Sequence, residues 1–206
     1  MDIDLARVLV AFVVLLLSLT FHEAAHAWSA DRLGDPTARQ LGRVSLNPAV
    51  HVDPIGTIVF PLIAMITGLP IIGWAKPVPV NTRNLRSHWQ QKFMLIAAAG
   101  PASNLVLAVG SAIVVRLMGF ESASGPVFQF FLGMVTINVL LAVFNMVPVP
   151  PLDGGNVLAG LLRGRAYDVF DMLRPYGFVI IYALLLSGIL FSIVSPIENA
   201  IVNFLL

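Results

Sequence analysis

The sequence predicts an all-α fold, a polytopic transmembrane helix bundle of four to five spans with a re-entrant segment and a short extended edge stretch. Of its 206 residues, 58% are hydrophobic and only 11% are charged, and the mean hydropathy is +0.88. Soluble domains carry about 25% charged residues. The composition therefore indicates an integral membrane protein, embedded in the lipid bilayer as a single domain over residues 1–206.

Five apolar segments are each long enough to reach across or deep into a hydrocarbon core of about 30 Å. They cover residues 5–29, 54–75, 92–118, 126–147 and 176–194, and the last is open to extension toward residue 206. Acidic Asp2 and Asp4 precede the first segment, where a secretory signal carries basic residues. We therefore expect this segment to be retained as a transmembrane helix.

Charge and cysteine content exclude several functions. The net charge is +1 and no basic run is long enough to follow a phosphate backbone, so nucleic acid is not an expected partner. The chain has no cysteine, which excludes disulfides, thiolate metal sites and a cysteine nucleophile.

The first segment leads into the pattern H-E-x-x-H, formed by His22, Glu23 and His26. On a helix the two histidines lie one turn apart on one face, so their rings can bind one Zn²⁺. Glu23 then lies within reach of water at the metal as a general base. The alternative is an accidental match at a helix end. Ionisable groups at membrane depth are costly and rarely kept without a use, which favours the metal site.

A third ligand is predicted beyond the fourth segment, where three prolines between residues 148 and 151 break the helix and precede Asp153. A catalytic zinc site usually has three protein ligands, and two histidines leave one to be found. The alternative makes Asp153 the N-cap of a helix over Gly154–Leu162. The two histidines elsewhere in the membrane favour the ligand, with Gly154 and Gly155 as flexible neighbours.

The third segment contains an amide, Asn104, shortly after the small residue Gly100 and Pro101. Small residues let another helix approach closely. An amide at membrane depth needs a hydrogen-bond partner. Two interpretations of Asn104 stay open here, structural hydrogen bonding and a place in the active site.

Three motifs in this order resemble the site-2 protease family of intramembrane zinc metalloproteases. They are Phe21-His22-Glu23-Ala24-Ala25-His26, Ala99-Gly100-Pro101-Ala102-Ser103-Asn104 and Asn145-x-x-Pro148-x-Pro150-x-x-Asp153-Gly154. The stretches 47–57 and 73–81 are similar to the compact prokaryotic branch, which lacks PDZ and CBS domains.

The resemblance implies His22, His26 and Asp153 as ligands of one Zn²⁺ per chain and Glu23 as the catalytic base. It also implies that Asn145, together with Asn104, lies near the oxyanion or the substrate backbone. The implied activity is hydrolysis of peptide bonds within or near transmembrane segments of membrane-protein substrates, in regulated intramembrane proteolysis at a prokaryotic cell membrane.

Other functions explain the residues less well. A transporter or channel with a metal site accounts for Asp153 and the prolines, but it gives no reason for Glu23 between two histidines. A metalloprotease of the prenyl-protein-processing kind matches the motif over 145–154 poorly. The presence of Glu23 disfavours a zinc-binding pseudoenzyme.

His51 and Asp53 form an H-x-D pair with two interpretations, a second metal site or gate and an anchor for the loop that re-enters the membrane. The anchor is favoured, because the pair has no place in the resemblance's zinc pattern.

The topology follows from the predicted zinc site, which needs the ends of the first and fourth segments at one depth, most simply with those helices parallel. This arrangement requires segment 54–75, interrupted by Pro61, Gly68 and Pro70, to enter and leave on one side. The positive-inside rule then places most of the 12 basic residues, and the active site, nearer the cytoplasm. These cytoplasmic residues are Arg32, Arg39, Arg43, Lys76, Arg83, Arg86, Lys92, Arg163, Arg165 and Arg174.

Overall fold

The computed structural model describes residues 5–67, 74–119 and 125–206. Its helices are α1 (Leu5–Arg32), α2 (Thr37–Gln40), α3 (Phe60–Thr67), α4 (Trp89–Met118), α5 (Pro126–Asn145), α6 (Asp153–Leu161), α7 (Arg165–Asp171), α8 (Gly177–Leu186) and α9 (Ile189–Leu205). A π-helical turn over Pro54–Val59 leads into α3. No strand occurs within these ranges, which confirms the predicted all-α class.

Within the described residues, four helical stretches are long and apolar enough to cross a membrane by length and composition. They are Ala6–Arg32, Trp89–Met118, Pro126–Asn145 and Arg165–Leu186. The first three correspond to the first, third and fourth predicted segments. Among its described residues, the second predicted segment contains the shorter apolar helix Pro54–Ala64. Gly68 and Pro70 lie outside the described residues.

Helices α1 and α4 run antiparallel. Nδ1 of His26, near the end of α1, donates to the carbonyl of Ile96, near the start of α4, at 2.7 Å. A second contact joins Ser18, two turns before His26 on α1, to Asn104, two turns after Ile96 on α4. Nδ2 of Asn104 donates to the carbonyl of Ser18 at 3.2 Å. Because α1 ends where α4 begins, the connection over residues 33–88 makes no net crossing of the bundle. The predicted re-entrant course of the second segment agrees with this arrangement.

Helices α1 and α5 run parallel, as predicted for the first and fourth segments. Val14 packs against Gly133, whose Cβ position lies 3.5 Å from Cγ2 of Val14. One turn later on both helices, Oγ of Ser18 accepts from Nδ2 of Asn138 at 2.8 Å. The C-terminal ends of α1 and α5 therefore lie at the same end of the bundle.

The predicted fifth segment, residues 176–194, is not one continuous helix, because a turn interrupts the helix within it. Helix α8 ends at Leu186, and Gly188 adopts a left-handed backbone with φ of 75° before α9 begins. Glycine adopts this conformation without the steric cost that other residues pay. Helix α9 then packs through Ile201 and Val202 on the small-residue face of α4 and on α5.

Candidate metal centre

Three potential metal-ligand atoms converge between α1 and α6. Nε2 of His22 lies 3.1 Å, and Nε2 of His26 lies 3.3 Å, from Oδ2 of Asp153. The two Nε2 atoms are 3.0 Å apart. In a tetrahedral zinc site with bonds of about 2.0–2.1 Å, neighbouring ligand atoms are separated by about 3.3 Å. The spacing of the three atoms therefore fits zinc.

The hydrogen bonds made by Nδ1 of both histidines also favour a metal site. Nδ1 of His26 donates to the carbonyl of Ile96 at 2.7 Å, and Nδ1 of His22 donates to Oδ1 of Asn104 at 2.6 Å. In the neutral form with the proton on Nδ1, each ring directs the lone pair of Nε2 toward Asp153. Oδ2 of Asp153 is itself buried without a hydrogen bond. Three converging lone pairs repel one another unless a cation lies between them, so the donor set is suited to a metal ion.

Gly100 provides the space that the two rings occupy. A Cβ atom at Gly100 would lie 2.4 Å from Nε2 of His26 and 2.6 Å from Nε2 of His22. Both rings are held at Nδ1 and cannot withdraw freely. Gly100 is therefore required because a side chain at this position would overlap the rings of His22 and His26 where they lie against α4. This role is more specific than general helix packing.

Asp153 reaches the histidines as the first residue of α6. The N-cap position belongs to Leu152, and no side chain caps the helix. The N-cap interpretation of Asp153 is therefore wrong. Its carboxylate instead lies at the helix N-terminus, where the positive end of the helix dipole stabilises negative charge.

The two glycines after Asp153 allow close packing of the backbone at the start of α6. A Cβ atom at Gly154 would lie 2.2 Å from the carbonyl oxygen of Met146, and one at Gly155 would lie 2.7 Å from the nitrogen of Pro150. The chain between α5 and α6 therefore folds directly onto the start of α6, which sets the position of Asp153.

Glu23 lies between the two histidines in sequence and bonds to a different part of the molecule. Its carboxylate is buried, and Oε2 accepts from the backbone N–H of Val78 at 3.2 Å. Val78 belongs to residues 74–81, a non-helical stretch that we call the proline segment because Pro77 and Pro79 alternate with valines. Glu23 thus joins the metal-ligand cluster to the proline segment.

The proline segment is anchored near its start by the loop that follows α2. The carbonyl of His51 accepts from Lys76 N–H at 2.9 Å, and Nη2 of Arg43 donates to the carbonyl of Lys76. Oγ1 of Thr57 donates to the carbonyl of Trp74 at 2.8 Å. The backbone of Lys76 is therefore held at both its N–H and its carbonyl.

Asp35 anchors the other end of the proline segment. This fully buried carboxylate accepts from the backbone N–H of Asn81 at 2.6 Å and from Nδ2 of Asn84 at 2.7 Å. Burial by itself raises the pKa of Asp35, but hydrogen bonds from Thr37, Asn84 and Asn81 hold that pKa below its ordinary value. Between the two anchors, the carbonyls of residues 77–80 accept no hydrogen bond from any described residue.

His51 and Asp53 occupy the anchoring role that the sequence favours. Oδ1 of Asp53 accepts from the N–H groups of Ile55 and Gly56, at 3.0 and 2.7 Å, and so caps the π-helical turn. Nε2 of His51 donates to the carbonyl of Ser45 at 2.8 Å. Neither side chain belongs to a cluster of three potential metal ligands in the described part of the chain.

The two predicted amides have different surroundings. Asn104 is fully buried behind His22, where its Oδ1 accepts from the ring. Asn145 is half-buried and donates from Nδ2 to the carbonyl of Leu141, one turn earlier in its own helix, at 3.0 Å. The structure brings Asn104 into contact with a predicted ligand, whereas Asn145 bonds to none of the other predicted site residues.

Sequence reasoning missed two residues that hold this site. Asn138, fully buried on α5, donates to Ser18 and accepts from Asn104. The rule applied to Asn104, that an amide at membrane depth needs a partner, would have identified it. No sequence pattern marks Arg43, since its contact with Lys76 joins residues 33 positions apart.

Comparison with known proteins shows which family the sequence resembles. Residues 119–188 match the model of peptidase family M50. "Putative zinc metalloprotease YwhC" of Bacillus subtilis is 34% identical over 194 residues, which cover 91% of this chain and 85% of that protein. "Putative zinc metalloprotease Rip2" of Mycolicibacterium smegmatis is 32% identical over 177 residues, covering 84% of this chain and 64% of that protein. No solved structure matches the chain.

Proposed function

The chain belongs to peptidase family M50, the site-2 protease family, and is a membrane-integral zinc metalloprotease; from this premise we propose that it hydrolyses peptide bonds within or near transmembrane segments of other membrane proteins. The observation that carries the proposal is the convergence of three ligand atoms at buried positions of a membrane-spanning helix and its neighbour. His22 and His26 lie within the span Ala6–Arg32, at 5% and 8% exposure. A substrate reaches such a site most directly from within the bilayer.

The proposed chemistry divides among four residues. His22, His26 and Asp153 are the proposed ligands of one zinc ion per chain. Zinc, when bound, polarises the scissile carbonyl and lowers the pKa of water at the site. Glu23 accepts a proton from that water and transfers it to the leaving amine as the peptide bond breaks.

The proline segment is the proposed docking edge for the substrate backbone. A peptide bond inside a transmembrane helix is already hydrogen-bonded, so the substrate must unwind locally before cleavage. The carbonyls of residues 77–80, which accept no hydrogen bond within the described part of the chain, are proposed acceptors for N–H groups of the unwound segment, in the manner of strand addition. The middle of the segment contacts Glu23 through the N–H of Val78, so a docked backbone lies next to the proposed base.

We also propose that the enzyme lies in a prokaryotic cell membrane with its active site nearer the cytoplasm. The 33–88 connection begins and ends on one side of the bundle, which supports common placement of Arg39 and Arg83. Single cysteines at these positions, in a chain without cysteine, can be labelled with a membrane-impermeant thiol reagent. Both are expected to react only after lysis. Labelling of either one in intact cells would contradict the orientation.

The function itself is tested by incubating purified protein in detergent with candidate single-span membrane proteins and comparing wild type with Glu23→Gln. The variant removes the base and spares the ligands, so we expect zinc to be retained and cleavage to fall by several orders of magnitude. Glu198→Gln, the same change on α9, is the matched control and should cleave like wild type.

Two results would contradict the proposal. Turnover of Glu23→Gln within tenfold of wild type would remove Glu23 from the mechanism. Full zinc occupancy in Asp153→Ala would remove Asp153 from the ligand set.

A further inference from the structure

A buried chain of amides crosses three helices and ends on the zinc site. Asn138 on α5, Asn104 on α4 and Ser18 on α1 are each fully buried. Nδ2 of Asn104 donates to Oδ1 of Asn138 at 2.7 Å. Nδ2 of Asn138 donates to Oγ of Ser18 at 2.8 Å. Oδ1 of Asn104 accepts from Nδ1 of His22 at 2.6 Å. The chain thus links α5 to a ring that carries a proposed metal ligand.

Backbone carbonyls determine the direction of every bond in this chain. The carbonyl of Met134 can only accept, and it bonds Nδ2 of Asn138 at 2.8 Å. Oδ1 of Asn138 is therefore the atom that faces Asn104. The carbonyl of Ser18 likewise accepts from Nδ2 of Asn104 at 3.2 Å. Both acceptors require Asn104 to present Nδ2 to them and Oδ1 to His22.

We infer that Asn138 is a positioning residue for the zinc site, acting through Asn104 to hold His22 in the tautomer whose Nε2 is free to bind metal. This inference rests on the proposed function. An amide that has lost Asn138 retains only the 3.2 Å bond to Ser18 to define its orientation. A rotated Asn104 would present N–H groups to Nδ1 of His22, which favours the tautomer with the proton on Nε2.

The two histidines differ in this respect. Nδ1 of His26 bonds directly to the carbonyl of Ile96, a backbone group that cannot rotate. His22 depends instead on a side-chain amide that needs partners of its own. Outer-shell partners of this kind typically contribute about 10- to 100-fold to metal affinity. We therefore expect zinc affinity to be more sensitive to changes in the partners of His22 than to changes in side chains near His26.

The test is a double-mutant cycle on the zinc dissociation constant, measured by chelator competition on full-length protein in detergent with the Glu23→Gln background. We expect Asn104→Ala to weaken zinc binding by about 10- to 100-fold. Asn138→Ala should weaken it less, and the double variant should match Asn104→Ala alone, because Asn138 acts only through Asn104. Asn203→Ala, an exposed amide on α9, is the control and should leave zinc binding unchanged.

A purely structural role gives a different pattern. In that case Asn138→Ala lowers the melting temperature without changing zinc affinity, or its effect adds to that of Asn104→Ala, and either result overturns the inference. If Asn138→Ala does not fold, Ser18→Ala replaces it in the same cycle, since it removes one acceptor of Asn138 and keeps the Ser18 carbonyl. Zinc binding by the parent protein and its loss on Asp153→Ala report on the proposed function separately.

Discussion

On one side of Glu23 lie three potential metal-ligand atoms brought together by side chains of α1 and α6. On the other side lies the proline segment, which is held through its backbone. The ligand rings depend on Asn104 and on the carbonyl of Ile96. The backbone of Lys76 is held by Arg43 at its carbonyl and by the carbonyl of His51 at its N–H. Damage to the first side should therefore appear in zinc affinity, and damage to the second in substrate binding at unchanged zinc.

The largest expected effect on the metal side comes from Gly100→Ala. The new Cβ would lie within 2.6 Å of both Nε2 atoms, and displacing two ligands exceeds the loss of an outer-shell contact. We expect zinc affinity to fall by at least about a hundredfold and cleavage to be lost with it. Gly110→Ala on the same helix is the control, because nothing lies within 4 Å of its Cβ position. Normal zinc affinity in Gly100→Ala would contradict the claim that zinc binding depends on the space Gly100 leaves for the two histidine rings.

Asn145 tests whether the site has a third functional part beyond zinc ligands and proline segment. If its amide donates to the developing oxyanion, Asn145→Ala should lower the rate by roughly a hundred- to a thousandfold. Zinc content and melting temperature should stay near wild type. If the amide only packs the bundle, the change should lower stability by about 0.6 kcal/mol and leave activity per folded molecule nearly unchanged. Zinc, melting temperature and cleavage measured on one preparation distinguish these outcomes.

Arg43→Ala is the corresponding test for the proline segment, the proposed docking edge. Loss of a hydrogen bond from a charged group costs about 1.5–3 kcal/mol, so we expect KM to rise by about tenfold or more as the Lys76 peptide is released. Zinc affinity should be unchanged, because Arg43 bonds no ligand. Arg83→Ala, an exposed arginine in the same connection, serves as the control. Loss of zinc in Arg43→Ala would show that the two sides are not separable.

The smallest expected effect concerns Asp35 and pH. Its folded-state pKa is lowered from the ordinary value of 3.8, so its hydrogen bonds stabilise the fold above that pH, and this stabilisation is lost as pH falls through the lowered pKa. The melting temperature of wild type should exceed that of Asp35→Asn near neutral pH, and the gap should shrink in acid. The exposed Asp168→Asn is the control. A gap that stays constant with pH would show that the charge of Asp35 does not stabilise the segment.

Much of the site could be predicted because it is local in sequence or chemically distinctive. Four-residue spacing on a helix brings His22 and His26 to one face whatever surrounds them. Asp153 was identifiable as a carboxylate after a proline break in an apolar chain, where ionisable groups are rare. The long apolar spans follow from composition in the same way. The break at Gly188 was missed, because a glycine in an apolar run gives no sign of its φ angle.

The helical class, the membrane location and the candidate metal-binding residue types follow from the sequence alone, since they depend on hydrophobicity and on contacts within one helical turn. Tertiary structure alone decided which helix covers the ligands, that Gly100 leaves space for both rings, and that Asn138 stands behind Asn104. The bond from Asn104 to His22 joins residues 82 positions apart, and that from Asn138 to Ser18 joins residues 120 apart. Such pairs meet only once helix packing sets direction and depth, which no local pattern specifies.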